Sequence, residues 1–132
     1  MKGFCTNIEQ AATGNTDFRR VLYTGAHSQL VLMSLAPGED IGLETHPDND
    51  QFLRFEAGKG RVAIDDATYE VNGGDAVLVP AGAKHNVTNL SDTEALKLYT
   101  LYAPAHHADG IVRATKADAG AQPEEFDGTT TE

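Results

Sequence analysis

The sequence predicts an all-β domain, either a sandwich or a closed barrel. Three observations carry that expectation. Apolar runs of strand length follow one another, each ended by a glycine, proline or aspartate turn. The i, i+3, i+4 spacing of an amphipathic helix is poor almost everywhere. Thirteen glycines and no tryptophan in 132 residues fit a turn-rich chain of short strands.

Residues 1–16 are polar and read as an N-terminal arm or first edge strand, ahead of a barrel over residues 17–104. Phe18–Thr24 and Gln29–Leu35 are rich in β-branched, aromatic and aliphatic residues, which suit a pleated surface, and Pro37-Gly38 ends the second run. Gln51–Glu56 runs to Gly58-Lys59-Gly60. Arg61–Ile64 and Tyr69–Val71 flank Asp65-Asp66, the turn of a hairpin. Ala76–Val79 stops at Pro80, and His85–Leu90 and Leu96–Tyr102 complete the set. Residues 105–132 read as an extension whose one candidate helical turn is Thr115–Gly120.

The chain holds 20 Asp and Glu against 10 Lys and Arg, a net charge of −10. That balance excludes the basic face that nucleic-acid phosphates require, and it opposes docking on anionic membranes. No segment approaches the roughly 20 apolar residues of a membrane span. Residues 117–132 carry five of the acids and no base, so they read as a solvated acidic tail. The alternative is a strap over the barrel, with Phe126 as its large apolar side chain. The single cysteine, Cys5, allows neither an intramolecular disulfide nor a multi-cysteine metal site. With no apolar signal core over Met1–Gln10, the expected location is cytoplasmic.

Two stretches carry chemistry. Glu44 and His46 are two residues apart, so in a strand they share a face. Pro47–Asp50 reads as a turn before Gln51, which lies close to His46 if the flanking strands pair. His85 follows the tight Pro80-Ala81-Gly82 turn. On strands lining one barrel, a carboxylate, two imidazoles and an amide oxygen converge. That mixed N/O donor set suits divalent Mn, Fe, Co, Ni or Zn. By the two-residue strand period, Leu53, Phe55 and Val87 face inward with Gln51 and His85 and are expected to line a substrate pocket. Leu96, Leu98, Thr100 and Tyr102 share the inner face of the last strong strand, and Tyr102 is a candidate proton donor or substrate ligand, with a packed aromatic as the alternative. Tyr99 takes that place in the reverse register. Arg54 and Lys84 are candidate anion contacts, with outer-face or loop solvation as the alternative. His27, His106 and His107 lack supporting spacing and read as surface residues, although His106-His107 could overhang the mouth.

In these two stretches the chain resembles the cupin superfamily. Gly38, Glu44, His46, Gln51 and Gly58 fall at the spacing of that family's first motif, with Glu44 where its first histidine stands and Gln51 where its glutamate stands. Gly74, Pro80, Gly82, His85 and Asn89 fit the second motif without a gap. The exchanges move the carboxylate to another ligand position and keep two histidines, one carboxylate and one neutral ligand. The resemblance implies a double-stranded β-helix, or jelly-roll barrel, with one divalent metal held by Glu44, His46, Gln51 and His85. It also implies a small-molecule substrate and a homodimer. The chain is similar to the sugar-phosphate isomerase branch, which points to metal-assisted isomerase, lyase or hydrolase chemistry on a small polar carbonyl or sugar-like substrate, with Glu44 and Tyr102 as the proton-handling groups. Two other functions share the site. An Fe(II)-dependent dioxygenase would use the two-histidine, one-carboxylate set. A non-catalytic module would bind or sense a small ligand.

Overall fold

In the computed structural model, which describes residues 1–132, the chain forms a jelly roll of two facing antiparallel sheets. The strands are β1 (Arg19–Thr24), β2 (Gln29–Leu35), β3 (Glu44–Thr45), β4 (Asp50–Ala57), β5 (Lys59–Ile64), β6 (Ala67–Asn72), β7 (Ala76–Val79), β8 (Lys84–Asn89), β9 (Leu96–Ala103) and β10 (Val112–Arg113). One sheet has the order β10-β1-β2-β9-β4-β7, the other β3-β8-β5-β6.

Alternation decides which side chains fill the space between the sheets. On β9, Leu96, Leu98, Thr100 and Tyr102 are buried, with less buried neighbours between them. On β4, Gln51, Leu53 and Phe55 take the same inner face. Val62 of β5 and Val87 of β8 meet them from the opposite sheet in one apolar cluster. Each large apolar side chain buried this way contributes about 1.5–3 kcal/mol. The β5–β6 hairpin turns at Asp65, whose φ of 46° is one that a short polar side chain tolerates.

The N-terminal segment, expected as an arm or edge strand, contains a helix instead: α1 (Ile8–Gly14). The Asn7 side chain caps it by accepting the Gln10 N–H. Its inward stripe is only Ile8, Ala11 and Ala12, too short and too small to show as periodicity in the sequence. A second helix, α2 (Lys116–Ala121), forms where the helical turn was expected, capped by Thr115.

Residues 105–132 fold back over the barrel. Strand β10 pairs with β1, placing Arg113 opposite Arg19. Further on, the Ala108 N–H donates to the Glu124 carbonyl, the Phe126 N–H to the His106 carbonyl and the Thr131 N–H to the Thr24 carbonyl. The Glu132 carboxylate accepts the Lys2 and Gly3 N–H groups and the Tyr23 hydroxyl. Of the two readings of the acidic segment, the structure has the strap, with Phe126 half-buried beneath it. No helix is long and apolar enough to cross a membrane.

Candidate metal centre

Strand β3 pairs with β8, which sets Glu44 directly opposite His85. Gln51 does not reach the site by pairing with the His46 strand, as the sequence suggested. Strand β4 lies in the other sheet, so Gln51 approaches His85 across the barrel interior. Two further contacts fix this end of the barrel. The Gly82 N–H donates to the His46 carbonyl at 2.9 Å, tying the Pro80–Gly82 turn to the ligand strand. The Asn89 side-chain amide donates to the Leu35, Ala36 and Glu94 carbonyls, which makes it a framework residue.

One ligand atom each from Glu44, His46 and His85 lies within 4.8 Å of the others. His46, Gln51 and His85 are buried, while the Glu44 side chain is 34% exposed and opens to the mouth. His85 Nδ1 sits 3.0 Å from the Ala83 carbonyl, which can only accept, so Nδ1 carries the hydrogen. In the neutral ring Nε2 then presents a lone pair, and it faces Gln51 Oε1 at 3.1 Å. Gln51 Nε2 donates to Thr100 Oγ1 at 3.1 Å, which turns Oε1 toward that lone pair. His46 Nε2 is buried without a hydrogen-bond partner; Glu44 Oε2 is 3.0 Å away but too poorly directed for a bond. A buried imidazole nitrogen without a partner, beside the inward His85 lone pair, an amide oxygen and a carboxylate, fits a divalent cation, and the donor set is one that Mn, Fe, Co, Ni and Zn share. Burial pushes the Glu44 carboxyl up, but the His46 contact, with the Arg19 guanidinium acting in the same direction, outweighs it and holds the group below the ordinary value.

The inward residues expected as a substrate pocket need correction. Leu53, Phe55 and Val87 do face inward, but they are sealed in the core and do not line the mouth. A barrel this narrow is filled by its own side chains. Tyr102 is also inward and buried. Its hydroxyl lies 3.3 Å from His107 Nε2 and its ring stands edge-on to His46. Burial raises its hydroxyl well above the ordinary value, so it stays protonated. Arg54 pairs loosely with Glu56, and Lys84 is exposed; neither faces the site.

The mouth is a cavity of about 640 Å³. Arg19, Glu44, His106 and His107 form its barrel side, and Gln122, Glu124, Glu125 and Asp127 of the strap close the other. His107 is therefore not a surface residue but a buried one, and His106 is half-buried with its ring centroid 4.1 Å from that of His46. Burial is the main cause that lowers both imidazoles, His106 to about 4 and His107 to about 2, and keeps them neutral. Gln29 holds them in place: its Oε1 accepts both the His106 and His107 N–H groups, and its Nε2 donates to the His107 carbonyl and Thr24 Oγ1. Sequence reasoning missed Arg19 and Gln29, and offered the histidine pair at the mouth only as the alternative to a surface position. The available signal was parity, since Arg19 shares the inner face of β1 with Val21, and Gln29 opens the buried face of β2.

Several known proteins are similar to this chain. A crystal structure of BH2720 from Bacillus halodurans is 47% identical, superposes with a TM-score of 0.89, and is matched over 92% of this chain and 96% of that one. YrkC of Bacillus subtilis is 51% identical over 89% of this chain, and the chain spans 66% of the length of YrkC. Protein L612 of Acanthamoeba polyphaga mimivirus is 40% identical, matched over 89% of this chain and 75% of its own length. Residues 31–102, which hold β3 to β8 and all four candidate ligands, match the cupin domain, and the chain belongs to the cupin family.

Proposed function

We propose that the chain is a mononuclear divalent-metal cupin that acts on a small polar carbonyl or sugar-like substrate by isomerase, lyase or hydrolase chemistry. The observation that carries the proposal is the meeting of His46 Nε2, which has no partner, with the inward-facing His85 Nε2 and Gln51 Oε1, beside the Glu44 carboxylate. Glu44, His46, Gln51 and His85 would hold the ion, which when bound supplies Lewis acidity toward a substrate oxygen.

The protein's own groups divide the remaining work. Glu44 is the ligand that opens to the mouth, and it is the group placed to take or return a proton. Tyr102 reaches the mouth only through His107, so its part is to orient the His107 imidazole through the Tyr102–His107 hydrogen bond. The strap narrows the mouth and limits its water. A homodimer belongs to the same proposal; a monomeric mass by light scattering at micromolar concentration would remove it.

Elemental analysis of protein purified without added metal or a histidine tag tests the reading. Near-stoichiometric Mn, Ni, Co or Zn in the unmutated chain, absent from His85→Ala, is the expected result. Equal metal in both proteins refutes it. The two-histidine, one-carboxylate set supports a second reading: iron, together with oxygen consumption over diols, thiols and diketones, selects a dioxygenase. A tightly held metabolite with no turnover selects a binding module.

A further inference from the structure

Arg19 is an arginine on the inner face of a barrel strand, 5% exposed, with Val21 as its inward neighbour. Its guanidinium lies over the Phe18 ring, 5.2 Å from the centroid, and its only side-chain hydrogen-bond partner is Glu124 of the strap, whose two carboxylate oxygens both lie 3.0 Å from one nitrogen, Nη1. A guanidinium offers donors in a fork that matches a carboxylate edge to edge. Glu124 does not use that fork, and Nε is left buried without a partner. A second cavity of about 190 Å³ lies beside the mouth, and Arg19, Glu44 and Glu124 wall both spaces. The Glu124 side chain therefore stands between two spaces that share the guanidinium and the candidate ligand carboxylate. The main chain around Glu124 is pinned by the Ala108 and Phe126 backbone hydrogen bonds, but the flanking side chains of Gln122, Pro123, Glu125 and Asp127 are exposed, so an exchange needs only the Glu124 side chain to turn away.

We infer that Arg19 is a carboxylate-binding residue, that Glu124 fills its place in the free protein, and that the ligand is a small monocarboxylic acid that exchanges with Glu124. Charge selects the class. Four carboxylates line the mouth against the single guanidinium, so a phosphate dianion is repelled. A monoanion that takes over the place of Glu124 on Arg19 restores the same pairing. The assignment rests on the proposed metal reading in one respect only: Glu44, a candidate ligand, walls the same two spaces as Arg19, so an oxo or hydroxy group on the acid would face the metal end, which makes 2-oxo and 2-hydroxy acids the favoured members.

The test uses the full chain, stripped of metal with chelator, so that it is independent of the metal proposal. Pyruvate is titrated while the arginine Nε–H signals are followed by NMR, with calorimetry for affinity and inorganic phosphate as the control. The expected result is a saturable shift of the Arg19 Nε–H signal with pyruvate and none with phosphate. Glu124→Gln, which removes the competing charge, should bind pyruvate about tenfold tighter. Arg19→Lys, which keeps the charge and loses the fork, should bind it at least about tenfold more weakly. The unmutated chain and Glu124→Gln read the exchange even if Arg19→Lys folds poorly. An Arg19 signal that does not move, an affinity unchanged or weaker in Glu124→Gln, or equal binding of phosphate overturns the inference. Metal content separately decides the metal reading.

Discussion

The interior of the barrel has two ends built on the same strands. Across β2, β9 and β4, one layer aligns Gln29, Tyr102 and Gln51, and two steps along the strands another aligns Met33, Leu98 and Phe55. In the facing sheet Glu44 pairs with His85 at one end, and Val62 pairs with Val87 one step further in. Orientation is identical at both ends, because every one of these residues sits on the inward face of its strand. A shift of two or four residues along a strand converts a ligand position into a core position. Chemistry and stability are therefore separable here by position along the strand, not by face.

Substitutions that move one end and spare the other test this division. The largest effect belongs to the apolar end: Phe55→Ala should lose about 3–5 kcal/mol of unfolding free energy in urea. A loss under about 1 kcal/mol would mean that this layer does not anchor the core. At the polar end, a divalent metal at a hundred times its dissociation constant should stabilise the unmutated chain by about 2.7 kcal/mol and His85→Ala not at all. Equal stabilisation of the two proteins in thermal melts would place the ion elsewhere. Gln29→Ala removes the acceptor of two backbone N–H groups and should cost about 1–3 kcal/mol, with faster hydrogen exchange at His106 and His107. Unchanged exchange there would show that the histidine turn is held by other contacts.

The smallest effect lies on the strap. Asp40 is held below the ordinary carboxylate value, first by the Asn86 amide and then by Lys116 of α2. Because its folded value is the lower one, its contribution is fully present above the unfolded value, about 3.9, and is lost as pH falls through the folded value. Its side chain is 40% exposed, so the size is a few tenths of a kcal/mol, roughly that of a surface ion pair. Asp40→Asn should flatten the dependence of unfolding free energy on pH below about 4, and an unchanged slope would contradict this.

Much of the architecture was legible because alternation and turn residues are local signals. Leu96, Leu98, Thr100 and Tyr102 took the inner face expected of them, and the Asp65-Asp66 hairpin formed at the expected turn. The positions of Glu44, His46, Gln51 and His85 could be read from the two motif spacings. Less legible was how Gln51 reaches the others, since strand pairing between sheets is not a property of neighbouring residues. Helix α1 was hidden because its stripe is two alanines and one isoleucine. Arg19 and Glu124 are 105 residues apart, and nothing local to either announces that one sits on the other. The acidity of residues 117–132 read as solvation, when two of its carboxylates, those of Glu124 and Glu132, have definite partners in the barrel and the N-terminal segment.

The pairing of β10 with β1 also bears on self-association. An unpaired sheet edge is a template for other chains, and its hazard grows with its length and flatness. The six-stranded sheet is bounded by the two-residue β10 and the four-residue β7, and the four-stranded sheet by the two-residue β3 and the six-residue β6. Three of the four margins are thus too short to recruit a neighbour, and the fourth, β6, carries the charge of Glu70. Removal of residues 105–132 would strip β10 from β1 and leave the backbone of a six-residue strand bare at that margin. The closing segment that walls the mouth thereby also keeps the sheet from growing.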